Sequence, residues 1–153
     1  TAEDIPQSLP ESPSKIEAIK LIDNSSKSEF RFSLSRQMYS MNGVPFVYSA
    51  RGESYASIAK TFGLFPREIL KFNDIWQSVD MDRELPAGTL IYIQPKKNEA
   101  ARGLEKHVIE NGDSMWAISQ RYGVKMAKLY RMNGLNGNYI PREGDIILLR
   151  KWR

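Results

Sequence analysis

"NGDSMWAISQRYGVKMAKLYRMNG", residues 111–134, decides the fold of this chain. It opens on the turn pair Asn111-Gly112 and closes on Asn133-Gly134. Between them, Met115, Ile118, Ser119 and Tyr122 fall at i, i+3, i+4 and i+7, one face of a helix. Asp113 or Ser114 is the N-cap, because a side-chain oxygen there accepts from the free amides of the first turn. Gly123 stops the helix in the left-handed conformation. A second helix is expected from about Lys125 to Met132, burying Met126, Leu129 and Met132. "HVIE" (107–110) ahead and "DIILL" (145–149) behind read as strands. So many elements in so short a segment leave no room for long loops, and each element end falls on a residue suited to it.

A fainter copy, "RGESYASIAKTFGLFPREILKFND", runs over residues 51–74. Shifted by 60, Gly52 matches Gly112, Ser54 matches Ser114, Ile58 matches Ile118, Gly63 matches Gly123 and Asn73 matches Asn133. Gly88 answers Gly144 at a shift of 56, so the first copy carries four extra residues in the loop after its second helix. "TLIYI" (89–93) is its closing strand, and Pro66 starts its second helix, with Glu68 at the positive end of the helix dipole.

Outside the copies, residues 1–35 read as an N-terminal arm with Pro6, Pro10 and Pro13, a short helix over Ser14–Ile22 and a strand-like Phe30, Phe32, Leu34 alternation. Asn42-Gly43 predicts a type I′ hairpin within Arg36–Ala50, and Pro45 suggests an edge strand. The organisation expected is thus an arm (1–35), a first module with its preceding hairpin strand (36–95), a linker (96–105) and a second module (106–153). The chain starts at Thr1 with no signal-peptide pattern and is read as a fragment of a longer polypeptide.

The chain has no cysteine, which excludes a disulfide framework and Cys-ligated metal sites. No apolar run approaches the ~20 residues that span a bilayer. Residues 96–153 hold 12 Lys/Arg and 6 Asp/Glu, whereas residues 1–95 hold 10 and 12. A basic half suits acidic partners such as nucleic acid, anionic lipid or an acidic cell-wall polymer; a solvated surface with a sign bias is the plainer reading. The same choice applies to Arg121, Lys125, Lys128 and Arg131, read as a solvated face.

"HVIENGDSMWAISQRYGVKMAKLYRMNGL", followed by "IPREGDIILL", resembles a LysM module, and "FVYSARGESYASIAKTFGLFPREILKFND" with "LPAGTLIYI" resembles a divergent one. The pair is also similar to the C-terminal LysM region of bacterial glucosaminidase-type wall hydrolases. The resemblance implies an α+β class: two βααβ modules, each with two helices on a two-stranded antiparallel sheet. It implies non-catalytic binding of N-acetylglucosamine-containing glycan, peptidoglycan or a chitin-like polymer, which anchors an attached protein to the cell wall. It further implies a cell-envelope, periplasmic or extracellular location, with no cofactor, metal, nucleic acid or membrane insertion, and a monomer.

The family's groove, carried onto the second copy, has Gly112, Asp113, Ser114, Met115 and Trp116 on one wall. Gly134, Leu135, Asn136, Ile140 and Pro141 form the other. In the first copy the walls are Gly52, Glu53, Ser54 and Tyr55 against Asp74, Ile75, Trp76, Leu85 and Pro86. The extra loop residues are expected to block or reshape this first groove. If so, the first copy is a structural or partner-binding module.

The chemistry is consistent with this: an acetamido sugar needs backbone donors and acceptors, a small apolar pocket and a flat apolar wall. A glycine turn beside a helix N-terminus supplies free N–H groups. Each residue also has a plainer role. Asp113 and Ser114 read as caps first, Asn73 and Asn133 as helix C-caps, and Trp76, Trp116 and Trp152 as core or stacking residues. His107 lacks a nucleophile partner, and Glu53, Asp74, Asp80 and Asp82 read as turn residues, not a glycosidase pair. A protein-interaction or spacer role without sugar is the alternative.

Overall fold

The structure, a computed structural model, describes residues 36–151. The expected Ser14–Ile22 helix, the Phe30–Leu34 strand and Trp152 lie outside them. In order come β1 (Tyr39–Met41), β2 (Val44–Tyr48), α1 (Tyr55–Thr61), α2 (Pro66–Phe72) and β3 (Leu90–Tyr92). β4 (Lys106–Val108), α3 (Met115–Tyr122), α4 (Met126–Met132) and β5 (Ile146–Leu148) follow. Strand, helix, helix, strand thus occurs twice, as β2-α1-α2-β3 and as β4-α3-α4-β5. The two sheets are antiparallel, β1-β2-β3 and β4-β5.

The hairpin forms as its turn pair demands. Asn42 and Gly43 take φ of 58° and 74° between Met41 and Val44, which pair across the ladder. The expectation that Pro45 marks an edge strand is corrected: β2 lies between β1 and β3. Pro45 is tolerated because it sits beyond Phe46↔Tyr92, the last pair of the β2–β3 ladder. There its carbonyl still accepts from Ile93 N at 3.1 Å.

Each half packs its helices on its own sheet through a buried cluster. Val47, Ile58, Ile69 and Ile91 anchor the first; Ile109, Met115, Ile118, Leu129 and Ile147 anchor the second. On α3, all four residues of the expected face are buried. On α4 only Leu129 is, and Met126 and Met132 are half-buried. One asparagine in each half joins helix to strand. Asn73 accepts from Tyr92 N at 2.7 Å and donates to Tyr92 O at 2.9 Å. Asn133 makes the same pair with Leu148 N and O at 2.7 and 2.9 Å. Both also donate back to the carbonyl four residues earlier, closing the last helical turn.

The halves are docked through a buried polar junction. Lys96 Nζ lies 2.6 Å from Asp74 Oδ2 and donates to Ser119 Oγ at 2.5 Å and Gln120 Oε1 at 2.6 Å. Asp74 Oδ2 also accepts from Met126 N at 3.0 Å. Tyr92 donates to Gln120 O at 2.6 Å, Gln120 to Asn73 Oδ1 at 3.0 Å, and Trp116 Nε1 to Asn73 O at 2.8 Å. Residue 97 extends the contact, with Lys97 N donating to Gly123 O at 3.0 Å and Lys125 N to Lys97 O at 2.8 Å. Gly123, at φ 68°, lies so near Met41 that a Cβ would stand 3.0 Å from its carbonyl oxygen. The glycine that ends α3 is therefore also the place where the hairpin rests.

Burial pushes the Lys96 ammonium down to about 8, against the opposing pull of Asp74. Removing one partner of such a pair strands a buried charge, a cost of about 3–5 kcal/mol. Lys96→Met is expected to lower unfolding stability by that amount in a denaturant titration. Lys96→Met with Asp74→Asn should recover much of it, since no charge is then left alone. Equal losses in the two variants would show that Asp74 does not need its partner.

Candidate functional site

In the second half, the β4–α3 turn and the α4–β5 loop meet over one cluster. Met115 is buried in it, and Leu135 and Tyr139 pack against it. Ser114 is the N-cap, accepting from Ala117 N at 3.0 Å. Asp113 closes the preceding turn, its Oδ2 accepting from Glu110 N at 2.8 Å. His107, buried on β4, bridges from this carboxylate at 2.7 Å to the Tyr122 hydroxyl at 2.8 Å. This bridge between turn and helix was not foreseen from the sequence. The only hint was an imidazole and a carboxylate six residues apart across a glycine turn.

The other wall is held by Asp145. Tyr139 donates to its Oδ2 at 2.6 Å and Arg142 N at 3.1 Å. These two bonds hold the Asp145 carboxyl below the usual range, and the Asp145 bond pushes the Tyr139 phenol up to about 12. Ile140 is 76% exposed between them. Gly112, Ser114, Gly134 and Asn136 are exposed, and Asp113, Leu135 and Pro141 are half-buried. Trp116 is half-buried, its ring turned to the first half through the bond to Asn73 O.

In the first half, the corresponding backbone groups are already bonded. Leu85 N donates to Glu53 O at 2.8 Å, Ala56 N to Met81 O at 2.9 Å and Gly52 N to Glu84 Oε2 at 3.1 Å. Met81 lies in the longer loop and packs against the core beneath. By the shift of 60, Gly52, Glu53 and Ala56 correspond to Gly112, Asp113 and Trp116; after the longer first loop the shift falls to 55, and Leu85-Pro86 correspond to Ile140-Pro141. Among the described residues, the amides of Gly112, Trp116 and Ile140 and the Asp113 carbonyl have no partner within the protein.

The remaining first-half candidates are scattered. Glu53 is held by Arg36 and accepts from Ala50 N at 2.6 Å, as Asp113 does from Glu110 N. Ser54 caps α1 through Ser57 N at 3.1 Å, and Tyr55 is half-buried. Pro86 O accepts from Ser49 Oγ at 2.8 Å, and Ile75 is buried. Asp74 faces the junction, away from open solvent. Trp76, by contrast, is 67% exposed. Among the described residues no group of His, Asp or Glu is arranged to hold a metal ion.

Residues 107–150, the stretch that holds α3, α4 and β5, match the family model of the LysM domain. The chain is 42% identical over 40 residues to an N-acetylmuramoyl-L-alanine amidase, sle1, of Staphylococcus epidermidis, covering 26% of this chain and 12% of that protein. It is 26% identical over 96 residues to an autolysin of Enterococcus faecalis, covering 58% and 12%. Both alignments thus span only 12% of the relative's length. Among solved structures, the spore cortex-lytic enzyme SleL of Bacillus cereus aligns with 69% of this chain and 22% of its own, at 28% identity and a TM-score of 0.29.

Tyr139→Phe removes the principal bond on Asp145, whose carboxyl is then expected to titrate nearer the usual range. In the native chain the charged form of Asp145 is fully bonded above the usual carboxylate range. That contribution fades as pH falls through its lowered value. A carboxyl-carbon NMR titration of the two proteins checks this; an unchanged Asp145 midpoint would contradict the assignment.

Proposed function

We propose that the groove of residues 112–116 and 134–141 binds an N-acetylated amino sugar of peptidoglycan or a chitin-like glycan. On this reading the chain holds an attached protein against the cell wall. The observation that carries it is the contrast between the halves. The second half leaves three amides and one carbonyl unpaired around a small apolar cluster. Gly112 and Ile140 are exposed and Trp116 is half-buried, so these groups are open to a ligand that can pair with them. An acetamido group has the complementary set, with its N–H for Asp113 O, its C=O for an amide, and its methyl for the apolar floor of Met115, Leu135 and Ile140.

We read residues 36–95 as a second, divergent LysM module whose groove is filled by its own loop, with Met81, Glu84 and Leu85 in the ligand's place. Gly52, Glu53, Ser54, Tyr55, Leu85 and Pro86 then serve structure, and Asp74 serves the junction. The spacer role weighed for the whole chain applies on this reading to the first half alone. The names of the relatives, an amidase and an autolysin, support a cell-wall setting and an attached hydrolase.

A single shallow groove is expected to bind in the millimolar to ~10 μM range. Titrating the chain with a chito-oligosaccharide should shift the amides of Gly112–Trp116 and Ile140 and leave Gly52–Tyr55 unmoved. Shifts of equal size in both halves would remove the proposed division of labour, and none at millimolar sugar would remove the glycan reading.

A further inference from the structure

The docking of the halves creates a cleft at the opposite end of α3 from the groove. Its floor is the connecting segment 96–101, and Asn42, Lys125 and Arg150 complete its rim around a cavity of about 540 Å³. Most of its charged groups are already matched. Lys96 is spent on Asp74. Arg150 is held by Glu99 at 3.2 Å and Glu105 at 3.6 Å, and Glu99 also accepts from Lys151 N at 3.1 Å. Lys97 and Lys125 are different. Among the described residues, neither ammonium has a carboxylate or hydrogen-bond partner, and both residues are exposed.

Their positions are not accidental products of loose loops. The backbones of 97 and 125 are joined by the bond from Lys125 N to Lys97 O, 2.8 Å, beside the Lys97↔Val124 bridge. The Lys97 ammonium lies over the hairpin turn, 2.9 Å from where a Gly43 Cβ would stand. Gly43 itself takes the positive φ of the turn. Two like charges lining one concavity repel each other, and a bound anion relieves that repulsion.

We infer that this cleft receives an oxyanion, a carboxylate or phosphate carried by an acidic polymer, with Lys97 and Lys125 as its counter-charges. Ammonium groups act as point charges without the planar fork of a guanidinium, so the site tolerates either anion. The inference does not rest on sugar binding, because the groove lies at the other end of α3.

The test measures binding of the full 153-residue chain to two probes at low salt, a short polyglutamate and a short polyphosphate. Binding of either supports the site and identifies its anion. Lys97→Gln with Lys125→Gln should weaken that binding by about tenfold. Lys60→Gln with Lys71→Gln, an equal loss of charge from exposed positions of the first half, should change it by less than about twofold. Amide spectra check that both variants fold. Equal weakening in the two double variants would reduce the effect to diffuse charge and overturn the site, as would failure of the native chain to bind either probe. Sugar affinity should not change in Lys97→Gln with Lys125→Gln, so a failed glycan titration and a failed anion titration are separate results.

Discussion

A buried ion pair between the halves, Lys96 with Asp74, is the interaction on which the arrangement depends. Burying two charges costs more than an exposed pair returns, unless every remaining donor and acceptor is matched. Here the second half supplies partners for both charges. Ser119 and Gln120 of α3 take the ammonium, and the Met126 amide of α4 takes the carboxylate. Local backbone geometry bears the cost too. Asp74 adopts φ of 53°, the left-handed region, where the corresponding residue of the second half is Gly134 at 64°. A glycine would fit that turn with less strain. An aspartate there is explained by what its carboxylate reaches across the junction.

The two halves repeat the same order of strand, helix, helix and strand and differ in one loop. Each keeps the asparagine that joins helix to strand, the serine cap and the carboxylate that closes the entering turn. They differ where the loop after the second helix is longer. In the first half that loop brings Met81 O and Leu85 N to the backbone groups that the second half leaves open. A difference of a few residues in one loop thus decides whether these backbone groups are paired within the protein.

Much of this was legible in the residues themselves. The Asn42-Gly43 turn, Pro66 at a helix start, Gly123 at a helix end and the buried stripe of α3 follow from local chemistry, which a sequence displays. The longer first loop was also visible, as was its threat to the first groove. The junction was not. Lys96, Ser119 and Gln120 are polar residues whose burial depends on a partner surface far along the chain, and no local pattern marks that. Ser119 stood on the buried face of α3, and Asp74 stood where its copy has glycine. Both were anomalies that the interface explains. Trp116 was read as groove wall or core because its distant partner, the Asn73 carbonyl, could not be seen.

That tryptophan has a thermodynamic corollary. Its main-chain amide lies in the proposed groove, while its indole is seated in the neighbouring half. One residue thus belongs to two equilibria, occupancy of the cleft and association of the halves. If a guest holds the docked arrangement in preference to the separated one, docking must favour the guest by the same factor, because linkage is reciprocal. The first half would then contribute to the affinity of the second.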